Sequence, residues 1–199
     1  MSEQFWDERF QQETFVYGEE ANRFIQEKAS LLRGHVGCFA EGEGRNAVYL
    51  AEQGHEVTAI DQSGTGLEKT ARLAEARGIR VNTKQMDLTA ESPGTDVFDS
   101  AVLVFGHVPK ATQHELLQQM VRSVRAGGVI LLEVYSEKQL DYRTGGPPVQ
   151  ELLYAPEDIL FWADAHHCLH FYYGEAERYE GAGHHGRCHV IQAAVQVMT

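Results

Sequence analysis

Apolar residues along the chain fall into short runs separated by stretches of helical spacing. Residues 36–40, 56–60, 81–85, 98–105 and 129–135 read as five strands, the fourth (FDSAVLVF) strongly apolar. Residues 18–32 carry Phe24, Ile25, Leu31 and Leu32 on one helical face, and residues 46–53 carry Ala47, Leu50 and Ala51. Residues 66–77 and 113–124 read as two further helices. Gly54, Gly78 and the Gly127-Gly128 pair follow three of these helices, as glycines past a C-terminus commonly do. Residues 156–165 read as a short helix. Residues 170–176 and 189–198 read as two last strands joined by a polar, glycine-rich turn. A short helix is also expected between the third and fourth strands.

Apolar strands alternating with helices predict an α/β fold. It is a Rossmann-like, seven-stranded, mostly parallel sheet covered by helices on both faces. The final pair lacks a helix between its strands and should be antiparallel. In such sheets ligands bind beyond the carboxyl ends of the strands at the switch point, here flanked by strands one and four. No repeat or low-complexity tract interrupts residues 1–199, read as one domain with residues 1–30 as an N-terminal helical cover.

Charge narrows the choice of partners. The net charge is −12, and no Lys/Arg run forms a basic patch, so DNA and RNA are not expected partners. The polar, acidic start MSEQFWDERFQQET does not read as a secretory signal. No apolar run approaches the ~18 residues of a membrane helix. Three widely spaced cysteines, Cys38, Cys168 and Cys188, fit a reducing cytoplasm better than a disulfide scaffold. The expectation is a cytoplasmic monomer or homodimer acting on a small molecule.

The candidate chemistry lies between Cys38 and Asp61. Gly42 and Gly44 sit at a strand-to-helix turn, where they let the backbone approach a ligand. The following helix offers free N–H groups, and Asp61 ends the next strand, where a carboxylate accepts ribose hydroxyls. Gly42 to Ala47 also fits the loose dinucleotide pattern G-x-G-x-x-A. Two glycines occur equally at tight turns that bind nothing. A dinucleotide needs positive potential for its pyrophosphate, yet Glu41 and Glu43 place two carboxylates here. Acids suit a ligand bearing an amino group and a sulfonium, which points to S-adenosylmethionine.

The chain resembles the class I S-adenosylmethionine-dependent methyltransferases, and more narrowly their small tellurite-resistance-like branch. The matching residues are Phe5 to Phe10 (FWDERF), Tyr17 to Phe24 (YGEEANRF), Ala40 to Asn46 (AEGEGRN), Val57 to Asp61 (VTAID), Met86-Asp87-Leu88, Phe98-Asp99-Ser100 and Val124 to Gly128 (VRAGG). The last departs from the family's usual turn by Ala126 in place of proline. The resemblance implies that Ala40, Gly42 and Gly44 line the methionine part of the cofactor and that Asn46 is a further cofactor-binding residue. Asp61 would hold the ribose, Gln62 and Ser63 would lie beside the adenine, and Asp87 and Leu88 would hold it. Phe105, Gly106 and His107 would end strand four beside the sulfonium, under a cover of Trp6, Arg9, Tyr17 and Asn22.

Methyl transfer from a sulfonium needs alignment more than a catalytic dyad. His107 is the candidate base, since an unperturbed imidazole titrates near neutrality. The ordinary alternative is a histidine that caps the strand end or ties the next loop. Tyr142 and Arg143, in the Gly/Pro-rich stretch 141–148, are placed to meet an anionic acceptor, or else are surface connectors. Trp6, Phe10, Phe15 and Tyr17 form a lid or a packed amphipathic segment. His184, His185, Cys188 and His189 do not match zinc-ligand spacings, and no metal is expected. The glycine-rich segment 181–187 is placed to fold over the site, where its histidines would touch an acceptor. Two other readings stay open: an NAD-dependent oxidoreductase, and a module that binds S-adenosylmethionine without catalysis.

Overall fold

The computed structural model describes residues 1–198. Two short helices open the chain, α1 (Glu3–Phe10) and α2 (Arg23–Lys28). Then come β1 (His35–Phe39), α3 (Arg45–Glu52), β2 (Glu56–Asp61), α4 (Gly64–Ala76), β3 (Asn82–Gln85) and β4 (Phe98–Val104). The chain continues through α5 (Lys110–Ser123), β5 (Val124–Tyr135), α6 (Pro156–Asp164), β6 (His167–Glu180) and β7 (His184–Gln196). The seven strands form one sheet in the order β3-β2-β1-β4-β5-β7-β6. The first five are parallel to their neighbours, whereas β7 is antiparallel to both β5 and β6. This is the expected α/β Rossmann-like fold, and the reversal of strand order falls between β1 and β4 as expected.

Strand periodicity divides the core into two layers. Ala101 and Leu103 of β4 pack on one face with Phe39, Ile60, Met120, Leu132 and Trp162. Val102 and Val104 pack on the other with Ile25, Leu50, Val57 and Leu131. Alternate side chains of one strand thus feed opposite layers, which is why the central strands read as continuous apolar runs.

Several expected boundaries moved. The expected helix over 18–32 begins only at Arg23, because the Asn22 side chain caps Ile25 N–H. It ends in a 3-10 turn, Ala29–Leu31. No helix forms between β3 and β4. Asp87 instead accepts from Thr89 N–H (2.9 Å), and Pro93-Gly94 follows before a helical pattern can build. The last two strands are longer than read, so the connecting turn shrinks to residues 181–183.

Gly44 shows why the β1–α3 turn requires glycine. It caps α3 at φ 92°, and a Cβ there would lie 2.6 Å from the Thr70 side chain. Gly44→Ala should cost about 2–4 kcal/mol, combining left-handed strain with overpacking. Urea denaturation would measure it, and a cost below about 1 kcal/mol would show that the turn relaxes.

Candidate active site

A cavity of about 200 Å³ opens at the carboxyl ends of β1, β2 and β4, beneath α1. Both strands at the switch point end on non-glycine residues in the left-handed region, Ala40 (φ 49°) and Phe105 (φ 52°). Such strain is held where the surrounding structure fixes it, and it turns the backbone across the cavity floor. Gly106 follows, at a position where a Cβ would strike Leu103.

Asp61 is the organising acid. It is 8% exposed, and its oxygens accept N–H groups from Gly42 (Oδ2, 2.8 Å) and Ser63 (Oδ1, 2.8 Å). Each oxygen keeps a further lone pair for a ligand hydroxyl. Burial pushes its carboxyl up to about 6. Met86, Asp87 and Leu88 line the same end of the cavity, together with Gln62 and Trp6.

The two acids of the turn do not act as expected. Both line the cavity, but Glu43 receives Lys69 Nζ (2.5 Å) and the Val16 N–H (2.9 Å), so its charge is neutralised and tied to the cover. Glu41 Oε1 accepts N–H from Asn46 and Ala47 (both 2.8 Å) at the start of α3. Burial raises its carboxyl to about 7.

Of the expected site residues, Trp6, Arg9, Tyr17, Ala40, Gly42, Asn46, Asp61, Gln62, Asp87, Leu88, Phe105 and His107 line the cavity. Four do not. Gly44 shapes the turn from behind. Ser63 is fully buried, caps α4 through Gly66 N–H and donates to Asp7 (2.5 Å). Tyr142 turns outward to donate to Glu175 (2.6 Å), and Arg143 is exposed at φ 55°. Gly146, Pro147 and Pro148 form the cavity wall in their place, because the loop doubles back after Arg143.

His107 lies on the cavity wall with both nitrogens engaged. Nδ1 donates to the Leu152 carbonyl (2.7 Å), and Tyr135 N–H points at Nε2 across 3.5 Å. Burial holds its imidazole down to about 4, so it is neutral at physiological pH. The loop-tying contact therefore exists alongside access to the cavity.

A buried ionic network lies beside the cavity, and the reading of the sequence missed it. Glu133, fully buried on β5, accepts from Asn22 (2.8 Å), Arg178 (Nε, 2.8 Å) and Gln192 (2.6 Å). Glu180 accepts from Arg45 (2.5 Å) and Asn22 (3.1 Å). Lys69 likewise binds the carbonyls of Gln12 (2.9 Å) and Thr14 (2.8 Å). Charged residues inside apolar patterns, Glu133 in VILLEVY and Lys69 on the inner face of α4, were the available signal.

Residues 36–128 match the family model described as a methyltransferase domain. The matched stretch contains the glycine turn, Asp61 and the β4 end, the residues that build the cavity floor. The tRNA 5-carboxymethoxyuridine methyltransferase of Escherichia coli (strain K12) is 29% identical over 98 residues, covering 48% of this chain. The chain spans only 38% of that relative's length. Among solved structures, a protein studied for conversion of a disulfide bond into a thioacetal group during echinomycin biosynthesis superposes with a TM-score of 0.78. It is 16% identical, over 98% of this chain and 92% of the other. TehB from Haemophilus influenzae superposes at 0.72 with 14% identity, over 98% of this chain and 66% of TehB. The N-methyltransferase NodS from Bradyrhizobium japonicum WM9, in complex with S-adenosyl-L-homocysteine, also gives 0.72, at 13% identity over 98% and 97% of the two chains. At these identities the structural likenesses speak for the fold.

Proposed function

We propose that the chain is an S-adenosylmethionine-dependent methyltransferase acting on a small-molecule acceptor. The observation that carries this reading is Asp61, a buried carboxylate facing the cavity at the end of β2 with acceptor capacity left on both oxygens. A nucleoside ribose fits it by donating two hydroxyls. Met86 and Leu88 supply an apolar edge for the base, and Asp87 supplies an acceptor for an exocyclic amine. Gly42 and Ala40 border the methionine portion. When bound, the cofactor supplies a methyl group on a sulfonium, an electrophile with a good leaving group. The protein's part is to align the acceptor and exclude water through Phe105, Tyr17, Pro147 and Pro148.

Residues 1–199 then act as one domain, with residues 1–30 as its cover. Glu43, Asn46 and Lys69 support this arrangement by fastening the cover to the glycine turn. We assign the protein to the cytoplasm as a monomer or homodimer; among the described residues no helix is long and apolar enough to cross a membrane. Thiols, chalcogen oxyanions and small metabolites are the acceptors to screen, the oxyanions following from the tellurite-resistance-like resemblance. The relative named for a tRNA substrate makes tRNA a necessary parallel arm, against which the net charge of −12 argues.

Calorimetric titration of the ligand-free protein should show binding of S-adenosylmethionine and S-adenosylhomocysteine and none of NAD. Binding of NAD alone would return the glycine turn to the dinucleotide reading. Binding of S-adenosylmethionine with no turnover on any acceptor would favour the non-catalytic module.

A further inference from the structure

The β6–β7 hairpin brings one histidine into the cavity. Its glycine turn is moulded against the cover. A Cβ on Gly183 would strike the Tyr17 ring at 2.4 Å, and one on Gly181 would meet Gly18 N at 2.4 Å. Gly183 N–H donates to Val16 O (3.0 Å). This seating delivers His184, the first residue of β7, to the cavity wall. The side chain is 5% exposed and packs between Tyr17 (centroids 4.5 Å apart) and Phe105 (4.3 Å).

The two ring nitrogens differ. Nδ1 is fully enclosed and has no hydrogen-bond partner; the Glu180 carboxylate lies 3.9 Å away. Glu180 is fixed by Arg45, Asn22 and Arg178; burial works to raise its carboxyl, but the Arg45 guanidinium and the His184 ring outweigh it and hold the carboxyl down to about 2. A fixed carboxylate behind Nδ1 favours the tautomer with the proton on Nδ1, as in hydrolase dyads. Nε2 then carries the free lone pair, and it has no partner among the described residues. Nearest the ring, Arg45 is paired with Glu180 and Glu43 with Lys69. Arg9 is exposed and donates to the Tyr17 hydroxyl (2.9 Å). Tyr135, fully buried beside His184, adds an unpartnered hydroxyl.

We infer that His184, oriented by Glu180, is the acceptor-side base, and that the acceptor is a small uncharged molecule presenting a hydroxyl or thiol to Nε2. This rests on the methyltransferase reading above. The acceptor's O–H or S–H bond breaks, its electron pair stays on the acceptor atom that becomes methylated, and the proton passes to Nε2. The Glu180 carboxylate, shared with Arg45, lies 3.9 Å from the resulting imidazolium. Tyr17 and Phe105 flank the acceptor's apolar part.

The test uses the full chain with ¹⁵N-labelled histidine. In the wild-type protein at pH 7, the His184 ring shifts should report a proton on Nδ1 and none on Nε2. With S-adenosylhomocysteine bound, titration with phenol or ethanethiol should shift Nε2 saturably, while benzoate should bind at least tenfold more weakly. His184→Phe should keep S-adenosylhomocysteine affinity within about twofold and lose at least tenfold in phenol affinity. A proton on Nε2, tighter binding of benzoate, or unchanged phenol binding by His184→Phe would each overturn the inference. Failure of wild-type protein to bind S-adenosylhomocysteine would instead overturn the cofactor reading beneath it.

Discussion

Asp61→Asn should lower S-adenosylmethionine affinity by at least about 100-fold while leaving the ligand-free protein more stable above pH 7. The affinity loss follows from weakening two hydrogen bonds to an ionised acceptor, each worth about 1.5–3 kcal/mol. The stability gain follows from the buried charge. In the folded protein the Asp61 carboxyl is raised from 3.8 to about 6, so between these values the folded state binds more protons than the unfolded state. Its contribution is fully present below about pH 4 and is lost as pH rises through 6, an effect of about 3 kcal/mol. Glu41, raised from 4.5 to about 7, acts in the same direction. The asparagine is neutral throughout, but its amide nitrogen faces one of the two N–H donors, at a cost of about 1 kcal/mol. A net gain of about 1–2 kcal/mol at pH 8 remains. Urea denaturation of both proteins at pH 5 and pH 8, with calorimetry at pH 7.5, checks both halves. Undiminished affinity would remove Asp61 from the ribose site, and an unchanged pH slope would show that water reaches its carboxylate.

Glu133→Ala should destabilise the fold by about 3–5 kcal/mol. It would strand the Arg178 guanidinium, only 5% exposed, along with the Gln192 amide, while Asn22 would keep only Glu180. Glu180 lies 3.5 Å from Arg178 Nε and offsets part of the loss. Replacing Glu133 and Arg178 together by leucine should recover much of the stability, because a buried pair exchanged for apolar volume leaves no unpaired charge. Because Asn22 carries the cover, Glu133→Ala should also weaken cofactor affinity in whatever fraction remains folded. A cost below about 1 kcal/mol in chemical denaturation would show that the network is solvated.

The strands, the glycine turn and the acid 19 residues after Gly42 were legible because they are local. Gly44 needs a left-handed turn whatever surrounds it, and the run at 98–104 is apolar because helices cover both faces of β4. The identity of Glu43's partner was not legible. Lys69 lies 26 residues away, and only the packing of α4 against the turn sets the two 2.5 Å apart. Two acids in sequence therefore read as a cation site, where one had already been neutralised. Tyr142 and Arg143 failed for a similar reason. Loop composition says that a chain turns, while the direction of each side chain depends on what the loop meets, here Glu175 of β6.

By itself the sequence determined the alternation of elements, the switch point between β1 and β4, and Asp61 at the end of β2. Each follows from side-chain periodicity or backbone freedom within a few residues. Only the tertiary structure decided which side chains face the cavity, joined Glu133 and Glu180 to Arg178 and Arg45 across more than 40 residues of chain, and brought His184 beside Phe105. Those pairings depend on burial, which sets whether a charge must find a partner and whether an imidazole stays neutral, and burial belongs to the folded chain as a whole.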